Sequence, residues 1–516
     1  MVASAPGATL GMRSLAAVAT AVMLFGAFPP LQWTGLVFVA WVPLLLAQSG
    51  ATPRVRRGLG GLMLGVLFGF IATTVNPPEV VTGVAWFGIS VGVGVAAGLA
   101  AMLLDVPVGP ERVMRALGPW ARIWVPAVAW TGIEYLRLVT TAGHQWGMLA
   151  TTQVDVAPLR AWLPVAGMWP VALLTVATGQ AIGALALVAI GRRPLTRSLV
   201  VGIGVAGLGW LAGVGLAVGG GATESQSIGV GIVQTGDHVP SHPRTRPLIT
   251  TVRYRELTDT ITELHTPATM EAVRQGAELV VWPEASGWVA PDDPKATAQV
   301  DGVRSVARRA GVPIVWSYFI RINPNQTRNE LVLVTPDGRM SRPTTKDHPV
   351  YAIGERSVTA GLYETHEVAG VRLGLAAGPD GTYTDTLARL ARMGAALVAI
   401  PTHDWAAYTA PHIAHLRLRA AEHRLAIAKA DWRYGSVVIA PSGDVVADTS
   451  PDQAKEELLV ADVWISRPGT LYTATGDWVG VATLGALAAM LLGGVALSVR
   501  DRRISGGRWE SATRPS

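Results

Sequence analysis

Long apolar stretches nearly free of charge recur through the first 220 residues, at 14–29, 31–48, 58–76, 83–104, 120–138, 162–190 and 198–219, and again at 478–499. Most reach the roughly 17–25 residues that a helix needs to cross a bilayer core, so the pattern predicts about eight spans. Arg13 followed by a short apolar stretch has the look of a signal peptide, but no small-x-small site follows and a second apolar run begins at once. From 222 to 470 the pattern changes. Short β-type runs (Ile228–Gln234, Leu279–Trp282, Pro313–Tyr318, Leu331–Thr335, Val371–Ala376, Ala396–Ile400, Ser436–Ala440) alternate with helical patterns at Thr258–Gly276 and His412–Lys429. Asp-Gly at 337–338 and Ser-Gly at 442–443 mark turns between β-type runs. This alternation predicts an α/β layered domain with its own core. The expected division is a transmembrane domain over 1–221, the α/β domain over 222–470, a closing span over 471–500 and a cytoplasmic tail over 501–516, its last dozen residues loose.

Composition agrees with a membrane protein. Half of the 516 residues are hydrophobic and 15% are charged, against about 25% in soluble domains; mean hydropathy is +0.36. The net charge of +6 is explained by topology rather than by nucleic acid. With the N-terminus in the cytoplasm, inside loops hold Arg54, Arg56, Arg57, Arg112, Arg115, Arg122, Arg192, Arg193 and Arg197, and the tail adds Arg500, Arg502, Arg503 and Arg508. The short loops on the other side hold only Arg160. By the positive-inside rule, the termini lie in the cytoplasm and the α/β domain outside it. There is no cysteine, which removes disulfides, thiolate metal sites and thiol nucleophiles.

Three segments offer chemistry. Val280-Val281-Trp282-Pro283-Glu284 ends a strand on a carboxylate, where α/β sheets form ligand crevices; a surface acid or helix cap would read the same. Lys346, in Thr345-Lys346-Asp347-His348 ahead of Gly354-Glu355, is one of four lysines in an arginine-rich chain. It is either a compact, tunable ammonium or part of a solvated loop. Leu373 to Gly381 is a strand ending in a sharp turn, compatible with a nucleophile elbow or an ordinary turn. His412 and His415 have i, i+3 spacing on a helical pattern, but no HExxH or second ligand set accompanies them. Neither a metal nor a cofactor is expected.

Together these segments resemble the apolipoprotein N-acyltransferase family, membrane enzymes of the nitrilase (carbon–nitrogen hydrolase) superfamily, over roughly residues 20 to 500. The resemblance rests on order along the chain: Phe28-Pro29-Pro30 to Trp41-Val42-Pro43-Leu44, Glu134-Tyr135-Leu136-Arg137 ahead of Gly143-His144-Gln145-Trp146, Trp282-Pro283-Glu284, Lys346, Gly354-Glu355, Thr402-His403-Asp404-Trp405 and Arg419-Ala420-Ala421-Glu422. It implies about eight spans carrying an extracytoplasmic nitrilase-like αββα sandwich in the inner membrane. It implies Glu284 as general base, Lys346 as oxyanion donor, Glu355 as second glutamate, and Trp405, Trp146 and His403 as substrate-binding residues. In the family's chemistry a cysteine thiolate takes an acyl chain from phospholipid as a thioester and passes it to a lipoprotein's N-terminal amine.

The match breaks at the nucleophile. The family's cysteine, the aromatic after it and the following glutamate fall on Gly378, Pro379 and Asp380. Glycine has no nucleophile, and proline has no N–H to offer an oxyanion. Asp380, Thr382, Tyr383 and Thr384 are the nearest oxygen groups. Trp432-Arg433-Tyr434 replaces small polar residues and would narrow or fill the pocket, and Pro349-Val350-Tyr351-Ala352-Ile353 departs from the usual loop. The resemblance therefore implies a degenerate homologue that binds phospholipid, lipoprotein or a membrane partner such as a polyprenol-phosphate mannosyl synthase. The alternative is an acyltransferase working without cysteine. A transporter would place more charge inside its spans than Glu134 and Arg137.

Overall fold

The computed structural model describes residues 8–75, 88, 90–98, 110–140, 146–220, 224–236, 252–289, 294–323, 326–349, 355–356, 362–449 and 456–512. The apolar runs become α1 (Leu10–Ala27), α2 (Leu36–Gln48), α3 (Pro53–Val75), α4 (Ala121–Thr140), α5 (Met168–Ala189), α6 (Arg197–Gly219) and, after the α/β domain, α11 (Trp478–Ala512). Five of these helices are long and apolar enough to cross a membrane, within Leu10–Ala27, Pro53–Thr74, Met168–Ala189, Arg197–Gly219 and Trp478–Leu497. α2 is shorter, and α4 carries Arg122, Glu134 and Arg137. The run at 83–104 lies largely outside the described residues, of which 88 and 90–98 are helical. The run starting at 162 becomes a long apolar helix only from Met168, because Gly167 at φ +70° separates it from a short preceding turn.

The α/β domain holds two sheets. One contains β1 (Glu224–Thr235), β2 (Leu279–Val281), β3 (Ile314–Asn323), β4 (Gln326–Val334), β5 (Thr344–Thr345) and β12 (Glu456–Ser466), in the order β12-β1-β2-β3-β4-β5, with Trp288–Val289 paired beside β3. The other contains β6 (Thr365–Val368), β7 (Val371–Leu375), β8 (Leu397–Thr402), β9 (Ala426–Asp431), β10 (Val437–Ile439) and β11 (Val445–Asp448), in the order β11-β10-β9-β8-β7-β6. The centre of each sheet is parallel and its margins antiparallel.

Period-2 alternation sends alternate side chains to opposite faces. Ile228, Val230 and Ile232 meet Leu373, Leu375, Ala399 and Ala428 between the sheets. On the outside, Val280, Ile314 and Trp316 pack against α7 (Val252–Arg274) and α8 (Pro294–Ala310). Val398, Ile400 and Ile427 pack against α9 (Thr384–Arg392) and α10 (Ala406–His423). The result is four layers, helix–sheet–sheet–helix.

Two expectations are corrected. The helical pattern His412–Lys429 is divided: α10 ends at His423, Arg424 takes a left-handed φ of +56°, and residues from Ala426 form a central strand. Parallel pairing with β8 and burial on both faces outweigh the local helical tendency of Ala-Ile-Ala-Lys. The tail expected to be loose continues α11 to Ala512, with no proline before Pro515 to stop it.

α10 also faces the apolar helices: Ala414, Leu418 and Ala421 join Met148, Leu159 and Val171 in one cluster. β2 runs parallel to β1 and β3, and β8 runs parallel to β7 and β9; the loops after β2, β7 and β8 meet at the candidate site.

Candidate active site

Glu284 follows β2 after Trp282 and Pro283, and its side chain is buried. The turn is tight: Ala285 takes φ +56°, and its N–H donates to Ser317 Oγ at 3.0 Å. The main chain of Glu284 is held on both sides, its N–H toward Thr402 O at 3.4 Å and its carbonyl accepting from the Trp432 indole. Carboxylate Oε1 accepts from Lys346 Nζ at 3.0 Å and from the Asn329 amide. Asn329 is in turn oriented by Ser317 Oγ, which donates to its Oδ1 at 3.1 Å. Lys346 Nζ continues to Glu355, 3.0 Å from Oε2. One buried ammonium thus sits between two buried carboxylates. Burial pushes the Glu284 carboxyl up to about 7, against the Lys346 charge, with Glu355 and Asp404 adding to the rise. Burial opposes the Lys346 charge, but Glu284 and Glu355 outweigh it and raise its pKa.

Gly378 faces this carboxylate. It follows Ala377 at the end of β7 with φ +48°, in the region that favours glycine. A Cβ on Gly378 would lie 3.0 and 3.2 Å from the two Glu284 oxygens. The neighbouring oxygen groups are engaged elsewhere. Asp380 accepts from the N–H groups of Asp347 (2.8 Å) and His348 (2.7 Å), which clamps the loop after Lys346. Thr382 Oγ1 donates to Pro379 O at 2.6 Å, Tyr383 stacks on His348 at 3.6 Å, and Thr384 donates to Asp477 at 3.1 Å.

The family whose members are described as apolipoprotein N-acyltransferase N-terminal domains matches residues 20–181, and the carbon–nitrogen hydrolase family matches residues 252–470. An apolipoprotein N-acyltransferase from Bordetella bronchiseptica is 35% identical over 106 residues, covering 20% of this chain and 19% of the relative. A putative apolipoprotein N-acyltransferase from Bordetella parapertussis matches equally, so the aligned stretch spans about a fifth of both relatives. Among solved structures, an amidase from Nesterenkonia sp. AN1 is 22% identical over 48% of this chain and 95% of its own, with a TM-score of 0.38. The chain belongs to the apolipoprotein N-acyltransferase family of the carbon–nitrogen hydrolase superfamily.

The family's other expected residues divide into two groups. Trp146 and Trp405 meet across Tyr408, with ring centroids 4.5 and 4.4 Å from it. Trp405 also donates to Thr74 O, near the end of α3, at 3.1 Å. His403 turns instead toward Trp432, 5.7 Å away. Trp432 is fully buried beside Glu284 and packs against Ile261. His144, Gly354 and the Val350–Ile353 stretch lie outside the described residues.

A second charged cluster lies under the first. Lys429 Nζ is 3.0 Å from Asp404 and 3.3 Å from Asp431, all three buried. His412 Nδ1 contacts Asp404 at 2.9 Å, and Thr402 Oγ1 donates to Asp431 at 2.7 Å. Burial alone would raise Asp404, but the His412 and Lys429 charges bring its pKa down to about 2. Asn329, Ser317, Lys429 and Asp431 escape notice in the sequence, since single polar residues inside strands have no local signature. The scarcity of lysine was the one available pointer to Lys429. Asp347, His348 and Asp385 have ligand atoms within 4.8 Å of one another. Arg389 sits on both carboxylates, at 3.4 and 3.2 Å, and supplies the positive charge there.

Proposed function

We propose that this chain is a membrane protein of lipoprotein and envelope biogenesis that has kept the family's binding shell and lost its covalent step. The observation that carries this reading is Gly378 facing an assembled Glu284–Lys346–Glu355 set. Without a nucleophile no thioester forms, and Pro379 offers no N–H to an oxyanion. Loss of one oxyanion donor costs on the order of 10²–10³ in rate. The groups left can still hold an ester or amide by hydrogen bonds, so the protein binds phospholipid or lipoprotein without turning it over. The arginine distribution supports cytoplasmic termini and an extracytoplasmic α/β domain. A membrane-bound partner such as a polyprenol-phosphate mannosyl synthase belongs to the same reading and is tested by co-purification from native membranes.

Mass spectrometry of lipoprotein N-termini in a deletion strain tests the proposal. N-acylation should be unchanged. Loss of the N-acyl group, restored by this chain but not by Glu284→Ala, overturns it in favour of direct transfer from phospholipid to amine. One observation favours that second reading: a carboxyl at about 7 is well matched to a general base near neutral pH.

A further inference from the structure

The hairpin of β10 and β11 lies where the α/β domain meets the apolar helices. Its turn is seated on α10. A Cβ on Gly443 would meet Arg417 O at 2.6 Å and the Ala421 side chain at 3.2 Å, and the Arg417 guanidinium donates to Gly443 O at 2.8 Å. Ala421 shares a cluster with Leu159 and with Val171 of α5. Arg417 also reaches Asp155 at 2.6 Å, and Arg160 donates to Asp444 Oδ2 at 3.3 Å, so the charge of the turn is paired across the junction.

α6 sets the depth of this junction. Trp162 Nε1 donates to Gly209 O at 3.2 Å, and Pro158 O closes on Gly213. At about 1.5 Å per residue, α6 continues roughly 9 Å past Gly213 to its end at Gly219. There Arg424, just after α10, donates to Gly220 O at 3.3 Å. The segment that holds Asp444 thus packs below the end of an apolar helix, and the α/β domain reaches down to that end.

Val445 and Val446 follow the turn and open β11, the edge strand of its sheet. They are 38% and 43% exposed. Val445 pairs with Ile439, which packs in the cluster under α10. Paired residues share a face, so Val445 points to the side that α10 and the apolar helices occupy. In water an uncovered apolar edge invites pairing with another chain. Over its last turns α6 likewise exposes Val214 and Val218.

We infer that Val445 and Val446 form a membrane-contact surface, entering the headgroup–acyl boundary of the leaflet around the end of α6. Apolar faces settle about 5–10 Å into that boundary, and pairing of Asp444 with Arg160 lowers the cost of bringing charge there. The inference rests on the apolar helices crossing the bilayer and is independent of the missing nucleophile at 378.

The chain has no cysteine, so one introduced thiol carries one label. Val446→Cys, Leu208→Cys within α6 and Trp464→Cys on β12 are each labelled with an environment-sensitive fluorophore. The full chain is measured in nanodiscs of phosphatidylglycerol and phosphatidylcholine. Leu208 and Trp464 are both exposed, but Trp464 shares by alternation the face of Leu458 and Val460, which pack on the α7 and α8 side. Lipid spin-labelled near its headgroup should quench the label at 446 by about half or more, and aqueous iodide should quench it little. The label at 464 should show the reverse, and the label at 208 should respond to lipid alone. Quenching at 446 by iodide and not by lipid, with 208 as expected, overturns the inference and leaves the crossing helices standing. Shielding of 446 from both quenchers, as a second copy or a protein partner would give, overturns it as well. Absence of lipid quenching at 208 removes the membrane reading and the inference with it.

Discussion

Gly378 is held by two constraints, its left-handed φ and the carboxylate standing over it. A Cβ there meets strain of about 1–2 kcal/mol and forces Glu284 to move. Gly378→Ala should therefore lower stability by about that amount in thermal unfolding; an unchanged midpoint would mean that the turn relaxes freely. Glu284 leaves a signature in pH. Its folded pKa of about 7 lies above the ordinary 4.5, so the native chain holds a proton that the unfolded chain has released. The stability contributed is complete below about pH 4.5 and lost as pH rises through about 7. Glu284→Gln should flatten the decline over this window by about 3 kcal/mol, measured by denaturant unfolding at each pH. Glu422, raised to about 8 by burial against the opposing Arg419 charge, adds a slope of the same sign that survives in this variant. Glu284 was legible as a carboxylate ending a strand and Lys346 as one of four lysines, whereas Glu355 was legible only through the family resemblance. Asn329 and Ser317 were not, because their role comes from a register between strands.

At the scale of elements, two glycine sets show how close approach selects sequence. A Cβ on Gly94 would meet Gly65 O at 2.5 Å, and one on Gly98 would meet Gly61 O at 2.8 Å, whereas Gly92 has nothing within 4 Å. Gly94→Ala should destabilise the protein by about 1–3 kcal/mol, while Gly92→Ala on the same helix should be neutral or better. Proteolytic resistance in detergent distinguishes the two. Strand β9 offers the harsher case. Lys429→Met leaves Asp404 and Asp431 buried without their shared cation, which should cost about 3–5 kcal/mol and show as loss of folded protein on size exclusion. That strand was misread from the sequence because a short apolar run suits a buried strand and a helix end equally.

Across the whole molecule, the α/β domain is fastened to the helices by buried groups more than by surface charge. Asp477, just before α11, accepts from Trp169 Nε1 at 2.6 Å, Tyr472 OH at 2.5 Å and Thr384 Oγ1 at 3.1 Å. Asp477→Ala leaves three donors without their acceptor and should cost about 3 kcal/mol, with faster limited proteolysis around 467–476. By contrast, the Arg417–Asp155 pair at 2.6 Å has an exposed aspartate, and Arg417→Ala should change stability by less than about 1 kcal/mol. The chain alone determined that long apolar helices precede and follow a layered α/β domain, since hydropathy and periodicity are properties of neighbouring residues. It also determined that position 378 lacks a nucleophile, since that is a matter of side-chain identity. What only the tertiary structure decided is which distant polar residues share one buried space: the carboxylate over Gly378 and the second cluster around Lys429. Such encounters depend on strand register and helix packing, which no local stretch of sequence encodes.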